Sequence, residues 1–142
     1  MRTVKQLLDG KTAELVAVEP HEAVFEAVRK MDRHGVGAVL VMRGEVLVGI
    51  LSERDYARKV VLLERSSHNT RVDQIMTTQV VTVEPGQSVA HCMAVMTRRR
   101  FRHLPVIDEG RVIGVVSIGD LVKAVIEEQQ ADLDALQRYV AS

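Results

Sequence analysis

The chain repeats itself at a fixed distance of 65 residues, and this internal repeat limits the folds open to it. Residues 16–60 align with residues 81–125 without a gap, and about a dozen of the 45 pairs are identical. The identities fall where strands and helices would begin or end, and they include Glu19-Pro20 with Glu84-Pro85, Gly49 with Gly114, Ser52 with Ser117 and Asp55 with Asp120. We therefore predict two copies of one folding unit.

Each copy predicts the order strand, helix, strand, strand, helix. A β-branched run stops at Glu-Pro in both copies, as a short strand does before proline. The next helix carries one apolar stripe, and Ser88 is a candidate N-cap for it in the second copy. A hairpin follows, and the last helix begins near Glu53 or Ile118. The predicted strands are 15–18, 36–42 and 46–51, then 80–83, 103–107 and 112–116.

A sheet of this size cannot be covered on both faces within one copy. We therefore predict an α+β fold of two pseudo-symmetric β-α-β-β-α repeats packed sheet to sheet. The predicted segments are a first repeat with an N-terminal extension (1–63), a connector (64–79), a second repeat (80–128) and a C-terminal helical tail (129–142).

The net charge and the cysteine content of the chain indicate which partners and which cellular compartment to expect. Nineteen basic and nineteen acidic residues cancel, so no overall field draws the chain to nucleic acid or to an anionic membrane. Its one cysteine, Cys92, cannot form an internal disulfide, which is typical of a reducing compartment. The first residues lack the apolar segment of a signal peptide, and no uncharged run reaches the roughly 20 residues that span a bilayer. We expect a soluble cytoplasmic protein.

Four short motifs carry a family resemblance. Residues 49–55 and 114–120 both read glycine, two apolar residues, serine, two free positions and aspartate. Residues 73–77 (Asp-Gln-Ile-Met-Thr) precede the second copy, and residues 102–106 (Arg-His-Leu-Pro-Val) lie inside it. Through these motifs the chain, over roughly residues 4–128, resembles the paired cystathionine-β-synthase (CBS) domain family, whose pairs are known as Bateman modules.

The resemblance implies a sandwich with two equivalent clefts between the repeats, each able to hold an adenosine-containing ligand such as AMP, ADP, ATP or NAD(H). Asp55 and Asp120 would accept hydrogen bonds from ribose hydroxyls, and Ser52 and Ser117 would lie near ribose or phosphate. The backbone near Val16 and Val81 would meet the adenine edge, beside the strand starts at Gly37-Ala38 and Arg102-His103. Arg102 and His103 could contact phosphate in the second cleft.

Other candidates come from the residues themselves. Ser-x-x-Asp at a helix start is also a capping box, which needs no ligand. A strand that runs directly into a helix, as at Ile118, leaves free backbone amides that suit an anion. Arg54 and Arg58, four residues apart, would share a helix face and contact phosphates, or would remain solvated or paired with Glu53. Lys11-Thr12 could contribute from the opposite wall.

The sequence offers no catalytic or metal-binding constellation. There is no nucleophile with a base, and the five histidines have no ligand spacing. The arginines at 98–100 are typical of a helix end, and Cys92 of a core thiol. A regulatory module that is not an enzyme is therefore predicted, acting on an unknown protein or through self-association. A stripe of Ile126, Leu133, Leu136 and Val140 favours a homodimer. The alternative is an interaction module that needs no ligand.

Overall fold

The computed structural model describes residues 2–11 and 14–141, which form two compact units. The first-repeat unit contains residues 14–81 and 109–112, and the second-repeat unit contains residues 2–11, 82–108 and 113–141. No helix in these described ranges is long and apolar enough to cross a membrane. The elements in chain order are α1 (Val4–Asp9), β1 (Ala17–Val18), α2 (Val24–His34), β2 (Ala38–Arg43), β3 (Val46–Ser52), α3 (Glu53–Tyr56) with a π-helical continuation (Ala57–Val61), a 3₁₀ turn (Val72–Gln74), α4 (Val89–Arg99), β4 (His103–Asp108), β5 (Arg111–Ser117) and α5 (Ile118–Ala141).

The predicted α+β fold is confirmed, and the first repeat has its elements in the predicted order. In the first-repeat unit β1 pairs in parallel with β2, and β2 pairs antiparallel with β3. Helix α2 packs against β1 and β2 of this three-stranded sheet. The buried residues of α2 are Val24, Ala27 and Met31, as the apolar stripe predicts. In the second-repeat unit Ser88 caps α4 by accepting a hydrogen bond from the amide of His91 (3.0 Å), and Cys92 is fully buried.

The strand predicted at residues 80–83 is wrong, because only one bridge, between Val83 and Val106, forms there. In the first copy the amide of Leu40 donates to the carbonyl of Val16 (3.0 Å) and extends the pairing. The residue aligned with Leu40 is Pro105, which has no amide hydrogen to donate. The second copy therefore keeps a two-stranded sheet of β4 and β5.

The N-terminal segment, which we predicted as an extension of the first repeat, bonds to the second. The amide of Val4 donates to the carbonyl of Gln87 (2.8 Å), and the amide of Lys5 donates to the carbonyl of Pro85 (2.9 Å). Residues 2–11 thus belong to the second-repeat unit.

The segment around the 3₁₀ turn serves the first repeat in the same way. The amide of Val72 donates to Glu22 (2.8 Å) and the amide of Asp73 donates to Pro20 (2.9 Å). These acceptors lie 65 residues before Gln87 and Pro85, whereas the donors lie 68 residues after Val4 and Lys5. Each repeat is therefore completed by an equivalent short segment, and the segments align at a different offset from the repeats.

Candidate functional site

The junction between β5 and α5 holds the predicted Ser117 and Asp120 in a reciprocal cap. The amide of Ser117 donates to Asp120 Oδ2 (2.8 Å), and the amide of Asp120 donates to Ser117 Oγ (3.2 Å). Because Ser117 ends the strand and Ile118 begins the helix, no loop separates the sheet edge from the first helical turn. The capping-box interpretation is therefore correct, and it also fixes the carboxylate at the end of the strand.

Lys11 lies against this carboxylate. Its ammonium group donates to Asp120 Oδ2 (2.8 Å) and to the backbone carbonyl of Val115 (3.0 Å). Burial raises the pKa of Asp120, but hydrogen bonds from Lys11 and Ser117 and the charge of Lys11 outweigh this effect and hold the pKa below its usual range. Asp120 is therefore ionised at neutral pH, and Lys11 ties the end of the N-terminal segment to it.

Arg102 and His103 reach the same junction. The carbonyl of Arg102 accepts a hydrogen bond from the first amide of α5, that of Ile118 (2.9 Å). Burial lowers the pKa of His103; the charge of Asp120 opposes this effect, and the charges of Lys11 and Arg102 add to it. His103 is therefore neutral at pH 7 and can offer one donor and one acceptor.

A cleft of about 510 Å³ adjoins Asp120 on the side of α1 and α5. Its size falls in the range of small-molecule sites, about 300–1,000 Å³. Arg2 and Glu127 pair across it (2.7 Å), whereas Lys123 makes no hydrogen bond or ion pair with any described residue. The residues that line the cleft are Arg2, Gln6, Leu7, Gly10, Lys11, Asp120, Lys123, Ala124 and Glu127.

The corresponding junction of the first repeat has the same cap. The amide and hydroxyl of Ser52 both donate to Asp55 Oδ2 (3.0 and 3.1 Å), and the amide of Asp55 donates to Ser52 Oγ (3.2 Å). The amide of Glu53 donates to the carbonyl of Gly37 (3.0 Å), as Ile118 does to Arg102. Ala38 pairs with Ser52 across β2 and β3.

Asp55 differs from Asp120 in its cationic partner. Lys59, one turn along the same helical segment, approaches Asp55 Oδ1 (3.1 Å) and donates to the backbone carbonyl of Ile75 (2.9 Å). The residue aligned with Lys59 in the second repeat is Ala124. Both carboxylate oxygens of Asp55 are therefore engaged from within its own unit.

Five predicted site residues remain, and the structure describes four of them. Val16 borders the sheet by accepting a hydrogen bond from the amide of Leu40 (3.0 Å), and Val81 belongs to the first-repeat unit. Arg54 is half-buried in α3, but the α-helix ends at Tyr56, so Arg58 lies exposed in the π-helical turn. Hydrogen bonding there spans five residues, so the four-residue spacing no longer assures a shared face. Thr12 lies outside the described residues.

Most residues that line the cleft were not predicted as site residues, among them Arg2, Gln6 and Glu127. A signal for the N-terminal residues was present, since Val4-Lys5-Gln6-Leu7-Leu8 matches Val72-Asp73-Gln74-Ile75-Met76 at an offset of 68. Within the described ranges no group of three or more histidine, cysteine, aspartate or glutamate side chains could hold a metal ion.

Lys11→Met is expected to raise the pKa of Asp120 toward the ordinary value of about 3.9, because it removes both a hydrogen bond and a positive charge. With its lowered pKa, Asp120 binds fewer protons in the native than in the unfolded state, so it stabilises the fold above about pH 4 and loses this effect as the pH falls. Carboxyl ¹³C NMR titration measures the pKa. Lys5→Met, on the exposed side of α1, is the matched control. An unchanged Asp120 pKa in Lys11→Met would contradict the assigned contact.

Comparisons with known proteins agree with this geometry. The CBS domain family profile matches residues 4–62 and 72–127. The chain is similar to the mitochondrial CBS domain-containing protein CBSX3 of Arabidopsis thaliana (44% identical over 124 residues, 84% of this chain but 60% of that protein). It is also similar to YhcV of Bacillus subtilis (33% identical, 80% of each chain). Among solved structures, a protein with CBS domains from Burkholderia ambifaria has a TM-score of 0.87 at 52% identity, over 90% of this chain and 96% of that one.

Proposed function

The chain belongs to the CBS domain family, and from this membership we propose that it is a regulatory module, not an enzyme, that binds an adenosine-containing ligand. The ligand class is AMP, ADP, ATP or NAD(H). The proposed output is a change of conformation or assembly that acts on a separate protein, in the cytoplasm. The proposed signal-transduction role of the Burkholderia ambifaria protein is consistent with such an output.

The observation that carries the proposal is the ionised Asp120 at the edge of the cleft. Both of its hydrogen bonds from described residues go to Oδ2, which leaves Oδ1 able to accept from a ribose hydroxyl. Lys123 and Lys11 lie beside it and can pair with a phosphate. A carboxylate acceptor next to cations suits the ribose and phosphate groups of a nucleotide.

One structural neighbour bears on the choice of test compounds. The CBS domain pair of protein MJ0100 shares the fold (TM-score 0.79, 22% identity) and was crystallised with 5′-methylthioadenosine and S-adenosyl-L-methionine. Both compounds contain adenosine and differ from nucleotides in the group at the 5′ position. They therefore belong in a ligand screen for this chain.

A thermal-shift screen tests the proposal. The panel is AMP, ADP, ATP, NAD, NADH, 5′-methylthioadenosine and S-adenosylmethionine. A ligand that binds only the native state stabilises it by about 2.7 kcal/mol at a hundredfold excess over its dissociation constant. For a chain of this size this raises the unfolding midpoint by several degrees. No shift with any compound contradicts the proposal.

The alternative, an interaction module that needs no ligand, is favoured by the exposed apolar side chains of α5. Ile126, Leu133, Leu136 and Val140 are each more than half exposed and recur at helical spacing. Such a stripe is suited to a homodimer seam or another partner helix. Sedimentation of a monomer at micromolar concentration would contradict the homodimer.

A further inference from the structure

We infer that the two pseudo-equivalent sites are unequal: the second-repeat cleft is open to ligand, whereas the Lys59 side chain closes its first-repeat counterpart. One ligand per chain follows. This inference rests on the proposed function, and it adds the residue pair that decides occupancy, Lys59 and Ala124. Neither residue was a candidate in the sequence analysis.

The residues of the second-repeat cleft have counterparts in the first-repeat unit. At the repeat offset Asp55 matches Asp120 and Lys59 matches Ala124, and at the segment offset Ile75 matches Leu7. Asp120, Ala124 and Leu7 all line the 510 Å³ cleft. The corresponding positions in the first-repeat unit are Asp55, Lys59 and Ile75. There the Lys59 side chain contacts both the carboxylate of Asp55 and the backbone carbonyl of Ile75.

The side chains at the aligned positions 59 and 124 differ in volume. Ala124 is buried and ends at its Cβ, so the cleft extends between α5 and the N-terminal segment. Lys59 carries four methylene groups and an ammonium group at the corresponding position. Its two polar contacts, at 3.1 and 2.9 Å, hold it there.

The carboxylates of Asp55 and Asp120 also differ in which of their oxygens already accept hydrogen bonds. Asp55 Oδ2 accepts from the amide and hydroxyl of Ser52, and Oδ1 faces Lys59. A ribose hydroxyl at Asp55 Oδ1 would meet an oxygen already paired with Lys59, and displacement of Lys59 would leave the carbonyl of Ile75 without that donor. At Asp120, Oδ1 is bonded by no described residue, so no such displacement is needed.

Isothermal titration of the full chain tests the inference, with AMP, ATP, NAD and S-adenosylmethionine titrated separately. We expect one ligand per chain for the wild type and two for Lys59→Ala, which opens the first-repeat site. We expect none for Ala124→Lys, which closes the second-repeat cleft. Lys30→Ala is the matched control, since Lys30 also donates to a backbone carbonyl in the first-repeat unit (Ala17, 2.7 Å), and it keeps one ligand per chain.

The outcomes separate this inference from the proposed function. Two ligands per wild-type chain, or a single ligand for Lys59→Ala, would overturn the inference and leave nucleotide binding standing. No binding of any of the four compounds to wild type or Lys59→Ala would overturn both. Circular dichroism checks that each variant is folded. If Ala124→Lys does not fold, Lys59→Ala alone decides.

Discussion

Asp120→Ala is expected to remove about half or more of the ligand-induced rise in the unfolding midpoint at a hundredfold excess of ligand. The substitution removes the acceptor for a ribose hydroxyl and leaves Lys11 without its carboxylate partner. A hydrogen bond to a charged group contributes about 1.5–3 kcal/mol, which corresponds to a loss of roughly 10- to 150-fold in affinity. The measurement is the thermal shift with the best compound of the panel, repeated over a range of ligand concentrations.

Two further variants distinguish lost binding from lost folding. Asp120→Ala also removes one of the two reciprocal capping hydrogen bonds of α5, the one from the Ser117 amide, at a cost of about 1 kcal/mol in the free energy of unfolding. Asp120→Asn keeps a side-chain oxygen for the cap but loses the charge, so it should fold nearly as well as wild type and still bind weakly. Asp32→Ala, on the exposed face of α2, should bind like wild type. Full affinity in Asp120→Ala would contradict the site.

Gly49→Ala should destabilise the first-repeat unit by about 1–3 kcal/mol, because it overpacks the contact between β3 and the segment whose Thr77 forms an antiparallel bridge with Ile50. A Cβ at Gly49 would lie 2.7 Å from the sulfur of Met76 and 3.0 Å from the carbonyl oxygen of Thr77. The Met76 side chain can move, but Thr77 is held by two backbone hydrogen bonds with Ile50. Chemical denaturation measures the change in free energy of unfolding.

The aligned glycine provides the comparison. The three atoms nearest to a Cβ at Gly114 would all belong to the side chain of Leu8, the closest at 2.7 Å, and a flexible leucine can change its rotamer. Gly114→Ala should therefore cost less than Gly49→Ala. Gly86→Ala is the control, because it meets no atom within 4 Å and needs no positive φ, so it should be neutral or slightly stabilising. Equal costs at Gly49 and Gly114 would contradict the role of the Thr77 backbone.

Much of the fold could be predicted because the repeat presents each local signal twice. Strand ends at Glu-Pro, the apolar stripe of α2 and the helix starts at Glu53 and Ile118 all depend on residues close together in sequence. The missing strand at residues 80–83 depends instead on a distant partner, Pro105, whose lack of an amide hydrogen removes a bond from another strand.

The part of the site that could be predicted consists of the two capping boxes, the strand starts beside them and Lys11. Ser52, Asp55, Ser117 and Asp120 all lie where the motifs indicate. The membership of residues 2–11 in the second-repeat unit was not predicted, because their five-residue motif (residues 4–8) aligns with residues 72–76 at an offset of 68 and the repeats align at 65. The contacts of Lys11 and Lys59 could not be predicted, since they depend on where a long side chain reaches across to another segment.

The most direct test of the account is an amide ¹H–¹⁵N NMR titration with the panel compound that gives the largest thermal shift. If the second-repeat cleft is the ligand site, the largest chemical-shift changes will fall on Gly10, Lys11, Ile118 and Asp120, and the titration will saturate at one ligand per chain. Largest changes around Ser52 and Asp55, or none at all at saturating ligand, would contradict the account.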